Sequence, residues 1–413
     1  MQCKTSFLSA LKRRAFFGNY FTGRKRVTDG ETAECLWYTV YTDMYKINSG
    51  VKFMLNDNKA NSKVNAKTVM RIGGAFIAWV IGAGFATGQE ALQFFSSYGL
   101  YSFAVAAVNL AGFIAVGYFL LREGFRKKGE KEFNHFKYFC GKKLGAFYTF
   151  LITLTLLLLI PVLFSGAGAT LYEYYGVNRY IGSAVIAAAV LAVYLMGFEK
   201  QIKIISSIGP VIILFSLLVG IVTVLRDGAR LNSAALYADS LAPYRAAPNW
   251  FLSAISYLGL NLFPGSTYFV RLGTAAKNEK EVKYGVLCGV LMVMLSVTVM
   301  STAILLNGDA AAGLDIPVLY LAGKISYIFG AVFSVMLILG IFSSCTVMMW
   351  SVCSRFKPEN KRLNAAFAAA AAVACYIISL FPFGSLINAF YPAVGYIGLL
   401  FIGCVIYKGC KKA

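Results

Sequence analysis

Three glycines, a threonine, a glutamine and a glutamate interrupt one of the most apolar stretches of this 413-residue chain, Trp79–Phe95, WVIGAGFATGQEALQFF. These residue types can bind a polar solute or carry a proton. Gly82 and Gly84 leave helical geometry at little cost. They follow Ile72 by 10 and 12 residues, so a helix starting there brings them roughly 15 to 18 Å deep, near the midplane of a bilayer. Thr87-Gly88-Gln89-Glu90 then reads as a capping box, in which the Thr hydroxyl takes the Glu90 amide and the carboxylate reaches back. A helix start inside a membrane span implies two half-helices joined by unwound chain. Gly82, Ala83, Gly84, Thr87, Gly88, Gln89 and Glu90 are therefore the first candidate solute-binding residues. Two alternatives stay open: Gly84 and Gly88 also fit GxxxG helix packing, and Glu90 is either a cap or a carboxylate that binds or handles protons.

A second interruption is expected in NWFLSAISYLGLNLFPGSTYFVRLG, where Asn261, Pro264 and Gly265 lie 12 to 16 residues after Asn249. Pro264 cannot donate a helical hydrogen bond. Either the chain unwinds there, exposing further binding groups at all three residues, or a continuous helix kinks.

The elements that position these residues follow from composition. The chain is 58% apolar and 14% charged, against roughly 25% charged in soluble proteins. Ten apolar runs, at about 72–95, 99–121, 144–171, 180–198, 204–225, 249–270, 284–307, 325–352, 364–381 and 385–407, are long enough to cross a bilayer and lack the alternation of barrel strands. The expected fold is an all-α integral membrane protein. Five spans per half force the second half (249–407) to be inverted relative to the first (72–225). Spans 1 and 6 then correspond, and paired broken helices in inverted halves point to a transporter's central site.

The net charge of +21 could suggest nucleic acid. However, 34 of the 39 Lys and Arg fall in segments that share one side if the N-terminus is cytoplasmic, leaving only Arg179, Arg226, Arg230, Arg245 and Lys324 on the other. The charge is thus a topology signal placing both termini in the cytoplasm. The nine cysteines form no CxxC pair, and the single His135 sits in a basic inner loop, where it is expected to be solvated. Without HExxH or GxSxG the chain lacks the equipment of a membrane hydrolase. Residues 1–66 read as a basic, disordered tail or as upstream sequence translated ahead of a start at Met54, with an organelle transit peptide as the alternative, before a membrane domain at 67–413. The outer stretch LDIPVLYLAG has the periodicity of a short helix over a vestibule.

The five-plus-five pattern resembles the leucine-transporter fold of the amino acid, polyamine and organocation superfamily, and GAGFATGQEALQFF resembles in particular the YkvI-like bacterial membrane proteins, from about Met70 to Tyr407. The resemblance implies a sodium ion held by the carbonyls of Ala78, Ile81 and Gly340 and the hydroxyls of Ser343 and Ser344. Phe85 stands where some relatives place a second-site ligand. The function this implies is an ion-coupled secondary transporter of an amino acid or amine in the cell membrane, with solute, coupling ion and lipid as partners and no nucleic acid. A ligand-sensing receptor on the same fold is the alternative, and a channel is the third reading.

Overall fold

The computed structural model describes residues 64–130, 133–196, 208–356 and 361–411, all within one compact unit, Asn56–Ala413. The basic leading segment lies outside the described residues up to residue 63.

Every regular element among the described residues is helical. The first apolar region comprises α1 (Ala66–Val80), α2 (Ala83–Thr87) and α3 (Gln89–Phe94), followed by a 3-10 turn at Ser96–Tyr101. Then come α4 (Ser102–Arg126), α5 (His135–Tyr175), α6 (Arg179–Met196), α7 (Ile208–Asp227) and the short α8 (Ala234–Leu241). The second half holds α9 (Trp250–Gly273), α10 (Glu279–Leu305), the short α11 (Gly308–Ala311) and α12 (Pro317–Ile325), then α13 (Tyr327–Phe356), α14 (Lys361–Ile378) and α15 (Phe383–Lys411).

Local chemistry fixes the helix ends. Asn65, Asn134, Asn249 and Asn278 each accept a backbone amide two or three residues on, at 2.9 to 3.0 Å, as N-caps worth about 1 kcal/mol each. Among the described residues, seven helices, α4, α5, α6, α7, α10, α13 and α15, are long and apolar enough to cross a membrane. Their outer faces carry large apolar side chains such as Phe150, Leu214, Leu225 and Ile328, which are 66 to 80% exposed. So much apolar surface is stable only against lipid.

The helices sort into two packed groups. In one, α9 and α10 pack on α4, and α10 packs on α1. In the other, α13 packs on α5 and α6, and α14 leans on both. α15 lies against α9 and α5, while α7 sits between α10 and α13. Small residues permit the closest crossings: a Cβ on Gly259 of α9 would lie 2.9 Å from the carbonyl carbon of Gly395 in α15.

His135 corrects a sequence expectation. It is 6% exposed, with its Nε2 3.0 Å from the Ser266 hydroxyl of α9. The cause is tertiary: Gly141, at φ 79° and ψ 179°, kinks the start of α5, and the residues before it pack on Phe401 and Phe263. Pro317–Ile325 does form the expected short helix.

Candidate functional site

The first apolar region loses its helix where the glycines stand. α1 ends at Val80, Gly82 is extended (φ −93°, ψ −166°), and the five residues of α2 follow. Gly88 then takes the left-handed region at φ 92°, which only glycine adopts cheaply, and α3 begins. Among the described residues, no hydrogen-bond partner within the protein takes up the carbonyls of Ala78, Trp79, Val80 and Ile81 or the amides of Gly82, Ala83, Gly84 and Phe85. Ala83 to Glu90 are nevertheless buried. Buried peptide groups without partners are costly and are the groups a polar ligand would satisfy.

The break also marks a change of company. α1 packs on α10 and α9 of the first helix group, whereas α2 packs on α13, with further contacts to α7 and α5. The chain therefore passes from one group to the other at the point where its helix fails.

Two sequence expectations are corrected. The capping box does not form, because Gly88, not Thr87, is the N-cap of α3. The Thr87 hydroxyl instead donates to the Gly84 carbonyl at 2.6 Å and accepts from the Gln89 amide at 3.3 Å. Glu90 is thereby released from a capping role. The second correction is α9, which runs unbroken through Asn261, Pro264 and Gly265. Beside the proline, the Trp79 indole donates to the Asn261 carbonyl at 3.1 Å, and the Asn261 side-chain amide donates to the Tyr257 carbonyl at 3.1 Å. Gly265 serves packing rather than unwinding, since a Cβ there would lie 2.8 Å from Trp79 Cε2.

Glu90 turns back across the break. Its Oε1 lies where a side chain on Gly84 would fall, together with the Tyr391 hydroxyl, which is 2.7 Å from that position. Its other oxygen, Oε2, and the Tyr257 hydroxyl are neighbours, and neither completes a hydrogen bond within the protein. Glu90 is 8% exposed and Tyr257 fully buried. The site thus gathers Gly82, Ala83, Gly84 and Glu90 with three aromatic residues that sequence reasoning missed, Trp79, Tyr257 and Tyr391. Tyrosines and tryptophans in apolar runs carry no mark of function, although Tyr391 does precede a helix-internal proline, Pro392.

Gln89 serves one end of the site. Its amide donates to the carbonyls of Leu314 and Asp315 at 2.7 and 3.2 Å, and it accepts from Gln93 at 2.9 Å. The same loop is held from α5, where Glu173 accepts the amides of Asp315 and Ile316 at 2.7 and 3.2 Å. Asp315 in turn accepts the Gly384 amide at 3.1 Å and lies 3.8 Å from Arg179. The stretch before α12 is therefore clasped over the first helix by both helix groups.

Of the five residues the family resemblance suggests for sodium, Ala78 and Ile81 offer carbonyls at the break, and Ser343 and Ser344 lie on α13, the helix against which α2 packs. Gly340 faces Ile212 of α7. Thr346 bonds back to the Phe342 carbonyl at 2.7 Å, but Ser343 and Ser344 take up no such bond among the described residues. No cluster of three or more His, Cys, Asp or Glu that could hold a metal occurs among the described residues.

The fold has known counterparts. The solved structure described as "Inward facing conformation of Mhp1" matches with a TM-score of 0.55 at 13% identity, over 82% of this chain and 75% of that one. A mutant manganese transporter of Eremococcus coleocola is a looser match, at a TM-score of 0.46 and 13% identity over 84% and 78%. The architecture is that of the leucine-transporter fold, and the chain is a membrane protein of that class. It is similar to the Bacillus subtilis protein described as "Uncharacterized membrane protein YkvI", at 29% identity over 351 residues, spanning 82% of this chain and 94% of the relative. No family model matches.

Proposed function

We propose that this chain is a secondary active transporter of a small polar solute, an amino acid or an amine, working by alternating access and driven by sodium or protons. The observation that carries the reading is the interrupted first helix. Its unpartnered peptide groups at Ala78–Phe85 sit beside a buried carboxylate, where the chain crosses between two helix groups. A solute bound there touches both groups, so its binding energy can bias how one rocks against the other.

The finer topology belongs to this proposal. It has ten crossings in two inverted sets of five, a first crossing broken at mid-depth and both termini cytoplasmic in a cell membrane. The distribution of 34 of 39 basic residues supports it. The carbonyls of Ala78, Ile81 and Gly340 and the hydroxyls of Ser343 and Ser344 form the sodium site in this reading, hard oxygen donors suited to a hard cation.

The test is flux. Protein reconstituted in vesicles, given radiolabelled amino acids and short-chain amines and an imposed sodium or pH gradient, should accumulate a solute against its own gradient. Solute binding without movement would instead identify a receptor.

A further inference from the structure

Glu90 is the one acidic side chain in the interrupted region, and its surroundings restrict what it can hold. It reaches the break from α3, facing Gly84 of α2, Tyr257 of α9 and Tyr391 of α15. α3 also packs on α10 and on the turn Ser96–Tyr101. The titratable residues of α10, Glu279 to Cys288, lie in its first three turns, far from the end that meets α3 near Ser301. Tyr98 in the turn is directed to the Ala247 carbonyl at 2.6 Å, under Arg245. Cys345 of α13 stands behind Tyr391. No lysine, arginine or histidine acts on Glu90 among the described residues.

An ionised carboxylate buried without a countercharge is strongly disfavoured, so this group must bind a proton or a cation. The geometry discriminates between them. Glu90 Oε2 and the Tyr257 hydroxyl are sealed from solvent, and on the other side Oε1 and the Tyr391 hydroxyl already fill the space a single Cβ on Gly84 would take. The sealed side, between Oε2 and the Tyr257 hydroxyl, has no room for an ammonium or a metal ion with its ligands. A proton needs no cavity, and the two phenols can hydrogen-bond to the acid form.

Resting on the transporter reading above, we propose that Glu90 carries the coupling proton, so that solute movement is driven by a proton gradient, with Tyr257 and Tyr391 as positioning residues. The Glu90 carboxylate takes a proton from water on one side of the membrane and returns it to water on the other. On uptake a hydronium O–H bond breaks as the carboxyl O–H forms, on release the carboxyl O–H breaks as a hydronium O–H forms, and no electrons change hands. Glu90 lies beside the peptide groups that would hold the solute, so both sites open together when the helix groups rock. Alternating access then couples them without further parts.

Two measurements test this. Infrared difference spectra of the solute-free protein at neutral pH should show a protonated-carboxyl band that Glu90→Gln removes; identical spectra would overturn the proposal. In vesicles, a pH gradient of about one unit should drive up to about tenfold accumulation of a labelled amino acid or amine per coupled proton, with acidification reported by an entrapped dye. Glu90→Gln should lose accumulation and acidification, and whatever exchange of labelled for unlabelled solute it keeps should no longer depend on pH. Exchange with accumulation intact in that variant would overturn the proton role and leave the transporter reading standing. Absence of exchange in the unmodified protein would remove both. Should Glu90→Gln lose exchange as well, Glu90→Asp decides: proton-driven uptake returning with the shorter acid supports the proposal, and failure to return overturns it.

Discussion

The Trp79 indole donates to the Asn261 carbonyl at 3.1 Å, joining the last turn of α1 before its break to the turn of α9 before its proline. The same ring stacks on Tyr268 at 5.2 Å, and Tyr268 donates to the Ala75 carbonyl at 3.1 Å. One aromatic residue thus anchors the fixed side of the break to a helix that a proline would otherwise weaken.

Gly265 makes that anchor possible, so Gly265→Ala is expected to displace the indole. The added Cβ would lie 2.7 Å from Phe269 Cε2 and 2.8 Å from Trp79 Cε2, an overpacking that costs about 1 to 3 kcal/mol. Thermal unfolding in detergent should show a clear fall in Tm. Trp79→Phe, which removes one hydrogen bond, should cost about 1 kcal/mol. An unchanged Tm in Gly265→Ala would mean the ring does not occupy this place.

The clasp over the first helix should depend on Gln89, and it faces outward if the termini are cytoplasmic. Gln89→Leu keeps the bulk but removes two donors to the Leu314 and Asp315 carbonyls, about 1 to 2 kcal/mol in favour of opening. A cysteine introduced as Leu314→Cys should then react faster with a membrane-impermeant thiol reagent in the Gln89→Leu background, roughly in the proportion that free energy implies. Equal rates would show that Glu173 alone holds the loop.

If a sodium ion is held at the break, Ser343→Ala and Ser344→Ala together should abolish sodium dependence of solute binding while leaving the fold intact. Thermal shift with solute, in sodium and in choline buffers, reads this directly. Sodium dependence that survives the double replacement would eliminate the site.

At the far end of α4, Arg122 and Glu123 are both 3% exposed and 3.4 Å apart, and Glu123 also accepts from the Tyr138 hydroxyl at 2.7 Å. Glu123→Leu leaves Arg122 buried without its countercharge and should cost about 3 to 5 kcal/mol. Arg122→Met combined with Glu123→Leu should recover much of that loss. If the double variant melts no higher than the single, the pair is not the source of the effect.

The break in the first helix was legible because Gly82 and Gly84 act through the backbone, a local property that survives without knowledge of neighbours. The capping box failed on Gly88: only the folded chain shows that this residue takes left-handed geometry and caps α3 itself. Pro264 misled because a proline can kink a helix without unwinding it, and the contacts packed around it, such as Trp79, 182 residues away from Asn261 in sequence, are invisible to local reading. His135 and the tyrosines around Glu90 were hidden for the same reason. Burial inside a bundle of apolar helices is decided by which face meets which neighbour, and a uniformly apolar sequence does not encode that in its periodicity.

In the proposed transporter, bare peptide groups of the interrupted helix bind the solute. Hydrogen–deuterium exchange of the vesicle-embedded protein, with and without a saturating amino acid or amine found by thermal shift, tests it most directly. Solute-dependent protection is expected, confined to the amides of Gly82–Phe85 and their immediate neighbours. Saturating solute that leaves those amides unprotected, or protects a different region, would contradict it.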